Sequence, residues 1–106
     1  MKTVKSSLGV SHQEWLIDNL KDRKEAEVYL NAALEDGDKR ILLKALRNVV
    51  EAQVGMSKMA TKTKLTREGL YRMLSETGNP GLDSLEKIFH VLGYDLLVRR
   101  RELAHR

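Results

Sequence analysis

The densest cluster of functional side chains in the sequence is basic and lies between Met56 and Ser75. It contains one acid, Glu68, and five basic residues, which are Lys58, Lys62, Lys64, Arg67 and Arg72. A guanidinium donates paired hydrogen bonds to a phosphate or a guanine edge, and a lysine ammonium binds phosphate as a point charge. This composition favours non-covalent binding of a polyanion. The alternative is a solvated basic face without a ligand, because charge alone does not make a site.

The excess positive charge lies in the second half of the chain. The protein has 106 residues and a net charge of +4, from 19 Lys and Arg against 15 Asp and Glu. Residues 1–53 hold nine of each sign, whereas residues 54–106 hold ten Lys and Arg against six acids. We therefore expect the polyanion to bind the C-terminal half.

The groups that enzymes need are missing from the sequence pattern. An enzyme requires a nucleophile with a base, a carboxylate pair in different environments, or a cluster of metal ligands. The three histidines, His12, His90 and His105, are far apart, and none is followed by a second ligand three or four residues later. We predict that the protein is not an enzyme and needs no cofactor and no metal.

Composition also indicates the compartment. There is no cysteine, which excludes disulfides, thiolate zinc sites and cysteine nucleophiles and fits a reducing cytoplasm. The N-terminal sequence MKTVKSSLGVSHQEWL lacks the apolar run of a secretory signal, and no stretch approaches the length of a membrane span. We expect a cytoplasmic protein with no membrane partner.

Helical spacing of apolar residues and a single proline predict an all-α fold of five or six helices. A first helix covers His12 to Leu20. Asp22 caps a second helix, with Glu25 three residues later completing a capping box, and Gly37 ends it. One apolar stripe of this helix consists of Ala26, Tyr29, Leu30, Ala33 and Leu34.

A third helix, capped by Asp38, is predicted from about Lys39 to Gln53. Its apolar face is too broad for a peripheral helix, so we expect it at the centre of the fold; the face consists of Ile41, Leu42, Leu43, Ala45, Leu46, Val49 and Val50. Residues 1–53 are then an N-terminal helical extension with the first helices of the core.

Residues 54–106 are predicted to complete the same domain. Two short helices follow Gly55, and a turn at Gly78 to Gly81 precedes a last helix that ends at Gly93. The apolar face of that helix consists of Leu82, Leu85, Ile88, Phe89 and Leu92. The segment YDLLVRRR that follows is either a short edge strand or a frayed tail, because Leu96 to Arg99 are too few to decide by periodicity.

The segment SKMATKTKLTREGLYRML, residues 57–74, has the parts of a helix-turn-helix. Ala60 is the small residue of the first helix, and Leu65 is the apolar plug of the turn. Thr66 is the N-cap of a second helix that runs from about Arg67 to Leu74. We predict that Gly69 permits close approach of the first helix near Ala60.

Steps of 100° per residue divide the second helix into two faces. Gly69, Leu70, Met73 and Leu74 share the inner face, and the outer face carries the predicted contacts to base edges in the major groove, which are Arg67, Glu68, Tyr71 and Arg72. Predicted contacts to the phosphate backbone of double-stranded DNA are Ser57, Lys58, Lys62, Lys64 and Thr66.

The residues from Gly55 to Leu96, GMSKMATKTKLTREGLYRMLSETGNPGLDSLEKIFHVLGYDL, resemble the Cro/repressor (XRE-type) class of helix-turn-helix domains. The NP-x-L-x-x-L-x-K-I-x-x-x-L-G pattern is especially typical. Together with EVYLNAALEDGD upstream, these blocks resemble the addiction-module antidote proteins, the HigA-like antitoxins of type II toxin–antitoxin pairs. The resemblance covers about Trp15 to Leu97.

This resemblance implies a lambda-repressor-like fold and a dimeric, non-enzymatic antitoxin. Such a protein binds a RelE/ParE-like toxin and represses its own operon at a palindromic operator. Carried over by position, base contacts fall to Arg67, Glu68 and Arg72, with Thr66 near phosphate. Lys64 departs from the pattern, because the family usually has a left-handed glycine there. The turn is therefore either strained by about 1 kcal/mol or different in geometry.

Two other functions remain open at this point. A stand-alone phage-type repressor would share the DNA-binding half and lack the toxin. A helical protein-interaction module would use a surface that includes Trp15 and Tyr29, without specific DNA binding. Trp15 is then either a core residue or an exposed anchor in an interface. The acids Glu35, Asp36 and Asp38 either steer a basic toxin or cap the helices around a turn.

A homodimer is expected, because Cro-like domains pair to place two recognition helices one DNA turn apart, about 34–36 Å. The sequence offers two candidate interfaces. One is YDLLVRRR as an intermolecular strand pair, and the other is the last helix.

Overall fold

The computed structural model describes residues 11–102. Six helices form within this range, and no strand does. They are α1 (His12–Asn19), α2 (Arg23–Asp36), α3 (Lys39–Gln53), α4 (Met56–Thr63), α5 (Arg67–Met73) and α6 (Leu82–Leu92). The prediction of an all-α fold with five or six helices is confirmed.

Side-chain caps set the starts of the first three helices. Asp22 accepts hydrogen bonds from the backbone N–H groups of Lys24 and Glu25, at 2.8 and 3.1 Å, so its predicted capping of α2 is confirmed. A reciprocal capping box that the sequence analysis missed begins α1. There Ser11 Oγ accepts from the Glu14 N–H at 3.0 Å, and Glu14 Oε1 accepts from the Ser11 N–H at 3.3 Å.

The turn between α2 and α3 follows the prediction. Gly37 ends α2 in the left-handed conformation, with φ 85°, and Asp38 Oδ1 accepts from the Arg40 N–H at 2.9 Å. The hydrogen bond from the Arg40 side chain lowers the pKa of Asp38 below its ordinary value. The contribution of this cap to stability is therefore present above the ordinary aspartate pKa and is lost as the pH falls through the lowered one.

Helix α3 is the centre of the fold, as predicted, and contacts α1, α2 and α4. Its buried apolar residues are Leu43, Ala45, Leu46, Val49 and Val50. They belong to one cluster of buried side chains that also includes Leu30 from α2, Met59 from α4, Leu70 from α5 and Ile88 from α6. Helices from both halves of the chain therefore share this core.

Three leucine and isoleucine residues from the predicted apolar faces are exposed instead. Leu34 and Ile41 are each 46% exposed and Leu82 is 65% exposed. Ile41 and Leu82 lie in the first turns of α3 and α6, where neighbouring helices do not cover them. Leu34 lines an open groove between α2 and the C-terminal segment. For these three residues the helical pattern alone gave the wrong burial.

One buried polar side chain in α3 joins three helices. Asn48 is 4% exposed and accepts a hydrogen bond from Gln13 Nε2 in α1 at 2.9 Å. Its own amide donates to the Tyr29 hydroxyl in α2, also at 2.9 Å. Because these groups satisfy one another, the N-terminal helices have a fixed position on α3. Trp15, by contrast, is half-buried, with its ring centre 5.8 Å from that of His12.

The end of α6 is tied to the start of α2. Arg23 donates from Nη1 to the Leu92 carbonyl at 2.9 Å and from Nη2 to the Gly93 carbonyl at 3.1 Å. The Tyr94 hydroxyl donates to the Arg23 carbonyl at 2.9 Å. Beyond Tyr94, the described residues 95–102 run without helix or strand, so a strand does not form within this single chain.

Candidate nucleic-acid interface

Helices α4 and α5 are joined by three residues, Lys64, Leu65 and Thr66. Leu65 is half-buried and packs against the core, in agreement with its predicted role as the plug of the turn. Thr66 Oγ1 accepts a hydrogen bond from the Gly69 N–H at 2.9 Å. The prediction that Thr66 is the N-cap of the second helix is confirmed, and α5 begins at Arg67 as expected.

Lys64 adopts the left-handed conformation, with φ 63° and ψ 28°, and is the one non-glycine residue with positive φ in the described range 11–102. Of the two alternatives from the sequence, the strained turn is therefore the correct one. The conformation ends α4, because the Leu65 N–H donates to the Ala60 carbonyl at 3.1 Å. A lysine in this region costs about 1–2 kcal/mol relative to its preferred backbone conformations.

Two substitutions at Lys64 test this strain. Lys64→Gly is expected to leave the free energy of unfolding unchanged or raise it by up to about 1 kcal/mol, since relief of strain exceeds the added entropy of the unfolded chain. Lys64→Val is expected to lower it by about 1–2 kcal/mol, because a β-branched side chain fits this conformation worst. Urea denaturation measures both. A glycine variant that is less stable than the valine variant contradicts the assignment.

The predicted role of Gly69 is wrong. A Cβ atom built on Gly69 would lie 2.8 Å from Thr66 Oγ1, and no atom of Ala60 would be within 4 Å. The atom that a side chain at position 69 would meet is thus the capping hydroxyl of Thr66, and the glycine does not serve the approach of α4.

The outer and inner faces of α5 follow the predicted division. Leu70 and Leu74 are 0% and 1% exposed, and Met73 is half-buried. On the other face Arg67, Glu68 and Arg72 are exposed. Tyr71 differs from these three because it is half-buried and packs against the core. The helix thus presents two guanidinium groups and one carboxylate to solvent.

The residues predicted to contact phosphate are all exposed. Ser57, Lys58 and Lys62 are exposed on α4, and Lys64 and Thr66 are exposed in the turn. The hydroxyl of Thr66 already accepts from the backbone, and its own proton remains available for donation. Eight of the nine predicted site residues are therefore accessible to a ligand, and Tyr71 is partly accessible.

A basic residue of the central helix also belongs to this region. The guanidinium carbon of Arg47 lies 5.0 Å from the centre of the Tyr71 ring, and that of Arg67 lies 5.6 Å from it. Arg47 Nε donates to Glu51 Oε2 at 3.3 Å. The sequence analysis missed Arg47 because residues 1–53 are neutral as a whole. The available signal was the spacing of Arg40, Lys44, Arg47 and Glu51 along one side of α3.

The chain turns sharply after α5, where Gly78 packs against the end of the helix. A Cβ atom at Gly78 would overlap the Met73 carbonyl oxygen and lie 2.8 Å from the Arg72 carbonyl oxygen. The Gly78 N–H donates to the Ser75 carbonyl at 2.9 Å. Only glycine permits this approach of two backbone segments, so Gly78 holds the chain that follows α5 against the end of that helix.

Comparison with known proteins identifies the family to which the chain belongs. A family model described as "Probable addiction module antidote protein" matches residues 13–100. The chain belongs to this antidote family. An uncharacterized protein of Haemophilus influenzae is 32% identical over 87 residues, which are 82% of this chain and 89% of the relative. No solved structure gives a significant match.

Membership of an antidote family implies a cognate toxin as a partner, and such families are generally not enzymes. Among residues 11–102, no helix has the length and apolar character needed to cross a membrane. Within the same range, no three His, Cys, Asp or Glu side chains are grouped so that they could hold a metal ion.

Proposed function

We propose that this antidote protein is a HigA-like, cytoplasmic antitoxin that binds a RelE/ParE-like toxin and represses its own operon. The match to the antidote family over residues 13–100 supports the antitoxin function. The exposed basic face of α4 and α5 supports DNA binding. In this proposal, α4, the turn and α5 are an XRE-type helix-turn-helix within a lambda-repressor-like domain, and α1 and α2 are its N-terminal extension.

The DNA-binding proposal rests on the pair of exposed arginines on the outer face of α5, whose inner face packs against the core. Arg67 and Arg72 would each donate two hydrogen bonds to O6 and N7 of a guanine. Glu68 would accept from the amino group of a cytosine, and Tyr71 would contact a thymine methyl group or a phosphate. Arg67 and Arg72 are about 7.5 Å apart along the helix axis, or roughly two base-pair steps.

The phosphate backbone would be held by α4 and the turn. Lys58, Lys62 and Lys64 supply three positive charges, and the hydroxyls of Ser57 and Thr66 supply neutral donors. These contacts set the register of α5 in the groove and make the affinity depend on salt. One copy covers only a short half-site, so a palindromic operator requires a homodimer.

We place the dimer interface at the C-terminal segment. Leu97 and Val98 are 87% and 100% exposed, and within residues 11–102 the backbone of 95–101 makes no hydrogen bond to another backbone group. The alternative interface, α6, already buries Ile88 and Phe89 inside the monomer. An exposed apolar segment with free backbone groups is a template for strand pairing between two chains.

Charge favours an antiparallel pair of these segments. If Leu97 of one copy faces Leu97 of the other, Arg99 faces Asp95 across the pair. A parallel pair in register would instead place Arg99, Arg100 and Arg101 against the same three residues of the second copy, and opposed like charges are destabilising. The antiparallel arrangement also has the two-fold symmetry that a palindromic operator requires.

Substitution of Val98 tests this interface. The side chain is fully exposed, so Val98→Asp leaves the fold intact, while it introduces a charge into the proposed strand pair. Sedimentation at micromolar concentration is expected to show a wild-type dimer and a monomeric variant. Val28→Asp, at a position 57% exposed on α2, is the matched control and stays dimeric. A wild-type monomer, or a dimeric Val98→Asp variant, contradicts the proposal.

We propose that the acidic turn between α2 and α3 does not steer the toxin. Glu35 Oε2 lies 3.6 Å from Arg99 Nη2, and Asp38 caps α3 and pairs with Arg40 at 3.1 Å. The contacts of Asp38 need no partner protein and support the capping alternative, whereas Glu35 makes only an exposed ion pair.

Expression with the neighbouring reading frame of toxin size tests the antitoxin function. Expression of that reading frame alone is expected to arrest growth. When it is expressed together with the antidote chain, growth is expected to resume and the two proteins are expected to copurify. A reporter behind the chain's own promoter measures repression in the same cells.

If the product of the neighbouring reading frame is harmless and does not bind the chain, the antitoxin proposal is overturned. Persistent repression would then favour a stand-alone repressor. Toxin binding without repression would instead favour a helical protein-interaction module without specific DNA binding.

A further inference from the structure

The Tyr71 side chain is placed differently from its neighbours on the outer face of α5. Its ring lies near two guanidinium groups, 5.0 Å from that of Arg47 and 5.6 Å from that of Arg67. Both distances are within the range, about 6 Å, over which a cation is attracted to an aromatic face. Tyr71 is half-buried, whereas Arg67, Glu68 and Arg72 are exposed. The ring is thus part of the supporting structure of the helix.

The contacts continue from Tyr71 into the central helix. Arg47 Nε donates to Glu51 Oε2 at 3.3 Å, and the two side chains are 40% and 33% exposed. A row of four residues, Glu51, Arg47, Tyr71 and Arg67, therefore connects α3 to the first residue of α5. Glu51 compensates the charge of Arg47, so two arginines can share one ring.

We propose that Tyr71 and Arg47 are positioning residues that hold the Arg67 guanidinium ready for a guanine edge. This inference rests on the proposed DNA binding and changes the role of Tyr71 from base contact to support. A guanidinium that stacks on a ring keeps its N–H donors free in its own plane, where a guanine accepts two of them. A side chain held in the bound conformation also loses less freedom on binding.

The proposal predicts different effects for loss of the Tyr71 hydroxyl and for loss of its aromatic ring. Tyr71→Phe keeps the aromatic face and is expected to bind the operator within about twofold of the wild type. Tyr71→Leu removes the face and keeps the apolar contact with the core, and is expected to weaken operator binding about tenfold. Because Tyr71→Leu removes no phosphate contact, its binding to a duplex of shuffled sequence is expected to change less than twofold.

A double-mutant cycle with Arg67→Ala provides the decisive test, with operator affinity measured by fluorescence anisotropy. If Tyr71 acts through Arg67, Tyr71→Leu has no further effect, within about twofold, once Arg67 is alanine. If Tyr71 contacts a base itself, the two losses multiply, and this outcome overturns the proposal.

Arg47 provides a second cycle with Arg67→Ala, in which the positioning residue that is changed lies on α3 and not on α5. Arg47→Gln is expected to weaken operator binding in the wild type and to have no effect with Arg67→Ala. The salt dependence is expected to stay the same, whereas loss of a direct phosphate contact would reduce the slope of log K against log[salt] by about 0.9. This cycle carries the test if Tyr71→Leu fails to fold.

The outcomes also separate this inference from the proposed function. A wild-type protein that binds operator and shuffled duplex equally overturns both. A wild-type protein that prefers its operator, with effects of Tyr71→Leu and Arg67→Ala that multiply, overturns only the positioning role and leaves DNA recognition in place.

Discussion

Replacing both Arg67 and Arg72 by alanine is expected to lower the affinity for the chain's own operator by about 100-fold or more. Each bidentate arginine–guanine contact contributes about 1–3 kcal/mol to discrimination between bases, and the two positions are more than one helical turn apart. Both side chains are exposed, so the free energy of unfolding is expected to change by less than about 0.5 kcal/mol. Fluorescence anisotropy with operator and shuffled duplexes measures the loss.

A control variant with the same change in charge accompanies this experiment. Lys21→Ala with Lys24→Ala also removes two positive charges, from exposed positions just before α2 and in its first turn. This control is expected to keep its preference for the operator. The Arg67 and Arg72 variant is still expected to bind the toxin. If it keeps the wild-type preference among DNA sequences, α5 is not the helix that contacts the bases.

The second large effect is expected on stability, at Gly78. Its Cβ would overlap the Met73 carbonyl oxygen and lie 2.6 Å from the carbonyl carbon of the same residue. Because the obstruction is backbone, a methyl group can be accommodated only if α5 or the following turn moves. Gly78→Ala is therefore expected to lower the free energy of unfolding by about 2–3 kcal/mol, the upper range for overpacking.

Gly81 supplies a matched control only three residues away. A Cβ atom there meets nothing within 4 Å, and its φ of −75° suits any residue. Gly81→Ala removes a favourable N-cap residue, which lowers stability, and restricts the unfolded chain, which raises it. The free energy of unfolding is therefore expected to change by no more than about 0.5 kcal/mol. Urea denaturation of both variants measures the difference. Equal stability of the two variants would show that Gly78 is not held against α5.

The helices could be predicted because their signals are local. Asp22, Gly37 and Asp38 fix the boundaries of α2 and α3 through contacts within three residues along the chain. The outer face of α5 follows from helical geometry, and the inner residue Leu70 is fully buried as expected. Lys64 could be identified as an unusual turn residue only through the resemblance to Cro/repressor-class domains, which usually have a left-handed glycine there, and its φ is indeed 63°.

The features that the sequence did not reveal depend on contacts between distant residues. Arg47 and Tyr71 are on different helices, and no pattern within either helix indicates that they meet. The same holds for the hydrogen bonds that join Gln13 and Tyr29 to Asn48. Leu34 has the spacing of a core residue and is exposed because the C-terminal segment leaves a groove beside it.

A direct binding measurement tests sequence-specific DNA binding by the α4–α5 face. The wild-type protein is titrated, at fixed physiological salt, against a duplex from the region upstream of its own reading frame and against a shuffled duplex of equal composition. We expect a preference of about 1,000-fold or more for the upstream duplex, as is typical of specific repressors. Equal affinities for the two duplexes would contradict it.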